Sequence, residues 1–169
     1  RAGVLAASRR ARRPAPVRVF RADMTSFRVR ARSVHLAFNL INTIRHLPND
    51  DAMLEHFRLV ARALAPGGVY AVGLSLSAYG LEEPSRDAWR AARGPVRLVQ
   101  VVRYIPPMRT RGPGARTERA ISLITITRPS GVERRESAYT LRCYDRRQWE
   151  RLLARSPFLI AGVVDDRGD

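Results

Sequence analysis

The spacing of apolar residues predicts two buried strands joined by an amphipathic helix in the first half of the chain. Residues 34–38 and 69–74 are apolar runs of strand length, as expected for strands covered on both faces. Between them, apolar residues recur at helical spacing and form one face, made of Met53, Phe57, Val60, Ala61 and Leu64. A strand, a helix and a second strand in this order predict a βαβ unit with parallel strands.

Local signals set the ends of this helix. Asn49 is a residue type that caps helix N-termini, and Asp50 and Asp51 suit the positive end of the helix dipole. The sequence Ala65-Pro66-Gly67-Gly68 predicts a sharp end and a tight turn before the second strand.

The second half of the chain has the pattern of an antiparallel sheet. Residues 82–95 are polar and contain prolines, which predicts a loop. Three strand-like stretches follow, at 96–105, 117–127 and 133–142. The last two are joined by Arg128-Pro129-Ser130-Gly131, a hairpin turn with proline at its second position.

A short helix is predicted after these strands. Asp145 and Gln148 have the spacing of a capping box, and Tyr144 and Trp149 are placed to form a hydrophobic staple.

Three further short elements are predicted near the two ends of the chain. Residues 2–12 read as a helix, residues 17–21 as a strand, and residues 158–164 as a final apolar strand.

The net charge of +16 arises from 31 basic residues, all of them arginine, against 15 acidic residues. Arginine without lysine fits the coding bias of a GC-rich bacterium, and the arginines are scattered except for a cluster at 9–13. No aromatic stacking motif of RNA-binding domains is present. The composition therefore favours a solvated surface over nucleic-acid binding.

The remaining composition favours a folded, cytoplasmic domain. The 169 residues suit one domain, and 45% are apolar, enough for a core. No apolar run is long enough to span a bilayer, and no signal-peptide pattern opens the chain. Cys143 is the single cysteine, which excludes an internal disulfide and a zinc cluster of cysteines.

The order of motifs resembles class I S-adenosylmethionine-dependent methyltransferases. A first strand is followed by Ala22-Asp23-Met24, and a second strand by Asn39. An amphipathic helix comes next, then the turn Leu64-Ala65-Pro66-Gly67-Gly68 and a third strand. This order is similar to that family's segment from the third to the fifth core strand. The residues after Asp145 resemble its late helix and sixth strand.

The resemblance implies an α/β fold: a partial Rossmann-like methyltransferase sheet of parallel strands with helices, plus an antiparallel β-hairpin addition. Residues 1–95 and 143–169 are then a partial methyltransferase core, and residues 96–142 are an insertion on the substrate side. S-adenosyl-L-methionine is the implied cofactor, and a small molecule is the implied methyl acceptor.

The resemblance also implies cofactor-binding residues. Asp23, preceded by Ala22, matches the acidic residue that accepts a hydrogen bond from the adenine amino group, and Met24 matches its neighbour packed on the ring. Asn39, Leu40 and Ile41 match the stretch that lines the cofactor near its methyl group. The alternative for Asp23 is an aspartate that caps a loop at a strand end.

Acceptor-side residues are implied in the same way. Asn42 and Tyr79 are candidates for substrate contact, and His46 is a candidate general base. Many such enzymes need only alignment of the nucleophile with the methyl group, in which case His46 is structural. His35 and His56 are assigned no role.

One part of the family pattern is missing from this sequence. No Gly-rich cofactor loop precedes Asp23, and Gly3 is the only glycine before Gly67. Residues 3–10 resemble the helix just after the ribose-binding acid, so we expect this chain alone to bind S-adenosylhomocysteine weakly or not at all.

The predicted function is methyl transfer from S-adenosylmethionine to a small molecule. Two alternatives stay open: a non-catalytic methyltransferase remnant or partner protein, and an Arg-rich nucleic-acid-binding protein.

Overall fold

The predicted βαβ unit is present in the computed structural model, which describes residues 17–112 and 114–165. Strand β1 (Val34–Asn39) pairs in parallel with β2 (Leu64–Val72). The burial predicted for residues 34–38 and 69–74 is wrong, because none of these residues is buried in a sheet of only two described strands. A 3₁₀ turn (Thr43–His46) and helix α1 (Asp50–Ala63) connect them. The carboxyl ends of both strands therefore lie at one edge of this small sheet.

The sequence pattern predicts that the Pro-Gly-Gly segment precedes the second strand, but in the structure this segment lies inside β2. Val34 pairs with Leu64, and the next pair is Leu36 with Val69, so residues 65–68 bulge out of the ladder. A Cβ on Gly68 would lie 2.9 Å from the Ala65 carbonyl oxygen, which explains the need for glycine there.

Helix α1 begins as predicted, and Met53, Phe57 and Val60 of its predicted face are buried, whereas Leu64 lies in β2. The Asn49 side chain accepts a hydrogen bond of 2.8 Å from the Ala52 amide. The buried face of α1 joins a core made of Ile44, Leu47, Met53, Leu54, Phe57, Tyr144 and Leu152. Phe57 is 1% exposed, and its ring contacts those of Tyr70, Trp149 and Phe158.

The second half forms a four-stranded antiparallel sheet in sequence order. Its strands are β3 (Ser85–Arg93), β4 (Val96–Ile105), β5 (Thr117–Arg128) and β6 (Gly131–Arg142). The three predicted strands are confirmed.

The prediction of a loop over residues 82–95 is wrong. Strand β3 pairs with β4 along its whole length, through a tight connection in which Gly94 has a φ of 56°. Every residue of β3 is exposed, so no apolar alternation marks it in the sequence. Its backbone hydrogen bonds to β4 decide its conformation, as is usual for an edge strand.

The end of the chain confirms the predicted capping box. Helix α2 (Arg146–Leu153) starts at Asp145, which accepts from the Gln148 amide while the Gln148 side chain accepts from the Asp145 amide. The rings of Tyr144 and Trp149 lie 5.4 Å apart, which confirms the staple.

Two of the predicted terminal elements are absent. Residues 17–21 and 158–164 form no strand, because within the described residues neither segment has a neighbouring strand to share backbone hydrogen bonds. The predicted helix over residues 2–12 lies outside the described residues.

A charged cluster around Asp50 joins α1 to the antiparallel sheet. The Asp50 carboxylate accepts hydrogen bonds from Arg116 at 3.1 and 3.2 Å, from the Tyr144 hydroxyl at 3.0 Å and from Arg142 at 3.4 Å. Burial alone would raise the pKa of Asp50, but the hydrogen bonds from Arg116 and Tyr144 and the two positive charges lower it below its usual value.

Replacing Asp50 with asparagine is expected to lower the free energy of unfolding by about 2 kcal/mol at neutral pH, because two partly buried guanidinium groups lose their carboxylate. The lowered pKa means that this stabilisation is fully present above the unfolded pKa of about 3.9. It is lost as the pH falls through the folded pKa. Urea denaturation at about pH 7 and about pH 3 checks this. The prediction would be contradicted if the difference in unfolding free energy between wild type and variant did not shrink at low pH.

Candidate functional site

The carboxyl ends of β1 and β2 are held together by a short hydrogen-bond network. The Gly73 amide donates to the Asn39 carbonyl oxygen and the Asn42 amide donates to the Gly73 carbonyl oxygen, both at 2.9 Å. The Asn42 side chain accepts from the Ser75 amide at 2.7 Å and donates to the Ser75 hydroxyl at 3.0 Å. Asn42, predicted to contact substrate, thus fixes the shape of this edge.

The turn at this edge is strained. Ile41 has a φ of 56° and Asn42 a φ of 60°, and a β-branched residue rarely adopts this left-handed conformation. A Cβ on Gly73 would lie 3.1 Å from the Ile41 nitrogen, a tight contact that favours glycine there. Ile41 is nevertheless 90% exposed. Strain held by surrounding hydrogen bonds, with an apolar side chain turned to solvent, marks a candidate ligand-binding edge.

The loop that carries Asp23 and Met24 reaches the same edge. One Asp23 oxygen accepts from the Thr25 amide at 2.7 Å and from the Thr25 hydroxyl at 2.5 Å, and these hydrogen bonds lower the pKa of Asp23. Asn39 donates to the Met24 sulfur at 3.7 Å. The structure therefore brings the two predicted cofactor segments into contact.

Asp23 keeps acceptor capacity after these contacts. Within the described residues, the hydrogen bonds that its side chain accepts all reach one carboxylate oxygen, Oδ1. An exposed carboxylate with a second oxygen available suits an exocyclic amine as its donor. The hydrogen bonds from Thr25 to the Asp23 side chain also match the alternative of an aspartate that caps a loop. Adenine binding and loop capping by Asp23 are therefore compatible.

A cleft of about 570 Å³ lies between this edge and one face of the antiparallel sheet. Ile41, Asn42 and His46 line it on the side of the 3₁₀ turn. The strand register aligns Ser85, Tyr104, Ala120 and Tyr139 in one row across β3 to β6. The His46 ring lies 5.4 Å from the Tyr139 ring.

Arg45 fixes the 3₁₀ turn against the sheet. Its side chain is 5% exposed and forms an ion pair with Glu118 on β5. It also donates to the Arg142 carbonyl oxygen at 3.0 Å and to the Cys143 sulfur at 3.0 Å. Sequence reasoning missed this residue, because nothing local distinguishes it among 31 arginines.

The cleft is acidic in a strongly basic protein. Its lining includes the carboxylates of Glu82, Glu83, Asp87 and Glu118, and among the described residues Arg45 is the one arginine that lines it. Since Arg45 already pairs with Glu118, the remaining carboxylates leave a negative potential. The net charge of the chain, by contrast, is +16.

Tyr79 and Leu40 lie outside the lining of the cleft. The Tyr79 hydroxyl donates to the Gln148 side chain at 2.8 Å, so it supports α2. Leu40 is 49% exposed at the strained turn. Ala22 is exposed beside Asp23.

No group of three or more metal-ligating side chains occurs among residues 17–112 and 114–165. Over the same ranges, no helix is long and apolar enough to cross a membrane.

The arrangement of β1, α1, β2 and the antiparallel sheet is similar to that of solved methyltransferases. The sugar N-methyltransferase KedS8 from Streptoalloteichus sp. ATCC 53650 gives a TM-score of 0.62 at 18% identity, over 79% of this chain and 51% of that chain. The chain has the S-adenosylmethionine-dependent methyltransferase fold. The amino pentose methyltransferase CalS10 from Micromonospora echinaspora gives 0.60 at 16% identity, over 79% of this chain and 53% of that chain. DesVI from Streptomyces venezuelae gives a TM-score of 0.61 at 18% identity, over 79% of this chain and 53% of that chain.

This methyltransferase fold is the α/β, partly Rossmann-like fold predicted from the sequence. The chain spans about half the length of these solved structures. No protein-family model matches the sequence. No curated protein matches it either.

Proposed function

We propose that this chain belongs to an enzyme that transfers a methyl group from S-adenosylmethionine to an amine on a small molecule. The observation that carries the proposal is an acidic cleft beside the strained Ile41–Asn42 turn of a methyltransferase fold.

The charge of the cleft supports an amine acceptor. Glu83 and Asp87 are exposed, and their carboxylates have no hydrogen bond or ion pair within the described residues. An ammonium group beside such carboxylates gains a charge-assisted hydrogen bond, whereas a neutral hydroxyl gains less. KedS8 is a sugar N-methyltransferase and CalS10 an amino pentose methyltransferase, which supports the same class of acceptor.

The residues at the strand edge suit the cofactor. Asp23 would accept from the adenine amine, Met24 would provide an adaptable apolar wall, and Asn39 to Ile41 would line the reactive end. When bound, S-adenosylmethionine supplies an electrophilic methyl group on a sulfonium. The buried Asn39 side-chain oxygen has no partner within the described residues, so this segment retains an unused acceptor.

The chain's own residues have two tasks in this reaction. Asp87 and Glu83 bind the ammonium form of the acceptor, and His46 removes its proton so that the nitrogen lone pair is free to attack. Tyr104 and Tyr139 form the floor against which the acceptor packs. If alignment alone suffices, as in the alternative for His46, binding by the carboxylates is still required.

Replacing Asp87 with asparagine is expected to reduce kcat/KM for an amino-sugar acceptor about tenfold, mainly through KM, since one charge-assisted contact is lost. The assay follows S-adenosylhomocysteine formation by the full-length natural protein. Glu136→Gln is the matched control: Glu136 is exposed on β6, and strand alternation places it on the face opposite Tyr139.

Three results would contradict the proposal. One is an equal loss of kcat/KM in the Asp87→Asn and Glu136→Gln variants. Another is faster turnover of a neutral sugar than of its amino counterpart. No product with any amine would favour the alternative of a non-catalytic remnant.

A further inference from the structure

A chain of contacts connects α1 to both predicted cofactor segments. The His56 Nδ1 lies 2.9 Å from the Met24 carbonyl oxygen, and His56 Nε2 lies 2.8 Å from the Tyr70 hydroxyl. The side chain of Asn39, at the end of β1, donates to the Met24 sulfur. Contacts from α1 and β1 therefore meet at Met24.

The hydrogen-bond partners define the protonation of the His56 ring. A carbonyl oxygen only accepts, so Nδ1 carries the hydrogen and donates it to Met24. Nε2 then accepts from the Tyr70 hydroxyl. His56 is 5% exposed, and burial lowers its pKa, which keeps the ring neutral. Tyr70 is the titratable side chain that faces it, and burial raises the pKa of Tyr70.

The loop from Asp23 to Ser26 depends on this contact. Its internal hydrogen bonds run from Thr25 and Ser26 to Asp23. Within the described residues, the hydrogen bonds that reach it from other elements come from His56 and Asn39 alone. The bond from Asn39 is a weak contact to sulfur, so the His56 bond is the stronger support.

We infer that His56 is a positioning residue for the cofactor edge: its Nδ1–H holds the Met24 carbonyl and thereby fixes the turn that presents Asp23 and Met24. This inference rests on the proposed function. It assigns a role to a histidine whose place within a helix gave no sign of one in the sequence.

Two amide variants separate the two ring nitrogens. In asparagine the side-chain nitrogen is bonded to Cγ, as Nδ1 is, whereas in glutamine it lies one bond further, as Nε2 does. His56→Asn therefore keeps a donor for Met24 and loses the contact to Tyr70. His56→Gln keeps a partner for Tyr70 and loses the donor to Met24.

Amide hydrogen exchange and calorimetric titration with S-adenosylhomocysteine, both on the full-length natural protein, test the inference. In His56→Gln we expect about tenfold faster exchange at Thr25 and about tenfold weaker binding, the size of one lost hydrogen bond. In His56→Asn both should stay within about threefold of wild type. The amides of α1 should keep their protection in both variants, which shows that the helix is intact.

The outcomes that overturn the inference are distinct. Equal behaviour of the two variants would show that the Nδ1 contact has no special role. Faster exchange at Thr25 with unchanged binding would show that the turn does not serve the cofactor. Absence of binding by the wild-type protein contradicts the proposed function itself, whereas equal binding by wild type and His56→Gln contradicts this inference alone.

Discussion

An Arg45→Met variant is expected to lose about 3 kcal/mol of unfolding free energy, the low end of the range for breaking a buried ion pair. The reason is that Glu118 is 16% exposed and would keep its charge without a partner. The Arg142 carbonyl oxygen would lose a donor as well. Methionine fills most of the volume of the arginine stem, so the loss reports the charge and its hydrogen bonds more than a cavity. Urea denaturation with an unchanged m-value measures it.

Two further variants make the Arg45 result specific. The double variant Arg45→Met, Glu118→Leu removes both charges and should recover about half of the loss, since an apolar pair avoids the unpaired carboxylate. Arg58→Met removes an exposed pair with Glu55 and should change stability by less than about 0.5 kcal/mol. Similar losses in Arg45→Met and Arg58→Met would show that the buried pair does not hold the 3₁₀ turn to the sheet.

A His46→Ala variant of the full-length natural protein is expected to lose about 100-fold in kcat/KM at about pH 7, the size of a missing general base. The ring of His46 contacts that of Tyr139, and both rings line the cleft in which an acceptor amine would lie. The loss should shrink as the pH rises toward about 9, because a growing share of the acceptor amine then arrives without its proton. Methyl transfer measured across this pH range checks the prediction.

The pH dependence distinguishes the two interpretations of His46. A loss of the same size at every pH would mean that His46 acts through position alone. His35→Ala is the matched control, since His35 is an exposed histidine on β1 that does not line the cleft. Its kcat/KM should match that of wild type. No loss in His46→Ala would support alignment as the source of catalysis.

Much of the fold follows from local sequence. The helical spacing of Met53, Phe57 and Val60 predicted α1, and the Asp145–Gln148 spacing predicted the cap of α2. These two predictions are confirmed because helix periodicity and capping depend on residues within a few positions of each other. Strand β3 was missed because all of its residues are exposed and no apolar alternation marks it. Residues 17–21 were wrongly predicted as a strand, because an alternating pattern does not supply a neighbouring strand to pair with.

The candidate site was predicted only in part. The stretch from Asn39 to His46 was identified, and the structure places Ile41, Asn42 and His46 at the cleft. The role of each of these residues stays a prediction. Asp87 was hidden in a segment interpreted as a loop.

The sequence by itself determined the βαβ unit, the helix caps, the three later strands and the resemblance to methyltransferases. These depend on local periodicity and on the order of short motifs. Only the tertiary structure decided that Arg45 meets Glu118, 73 positions away, and that Tyr104 and Tyr139 share one row of the sheet. It also showed that His56 supports Met24. Such contacts depend on strand register and on the packing of distant segments, which local patterns do not encode.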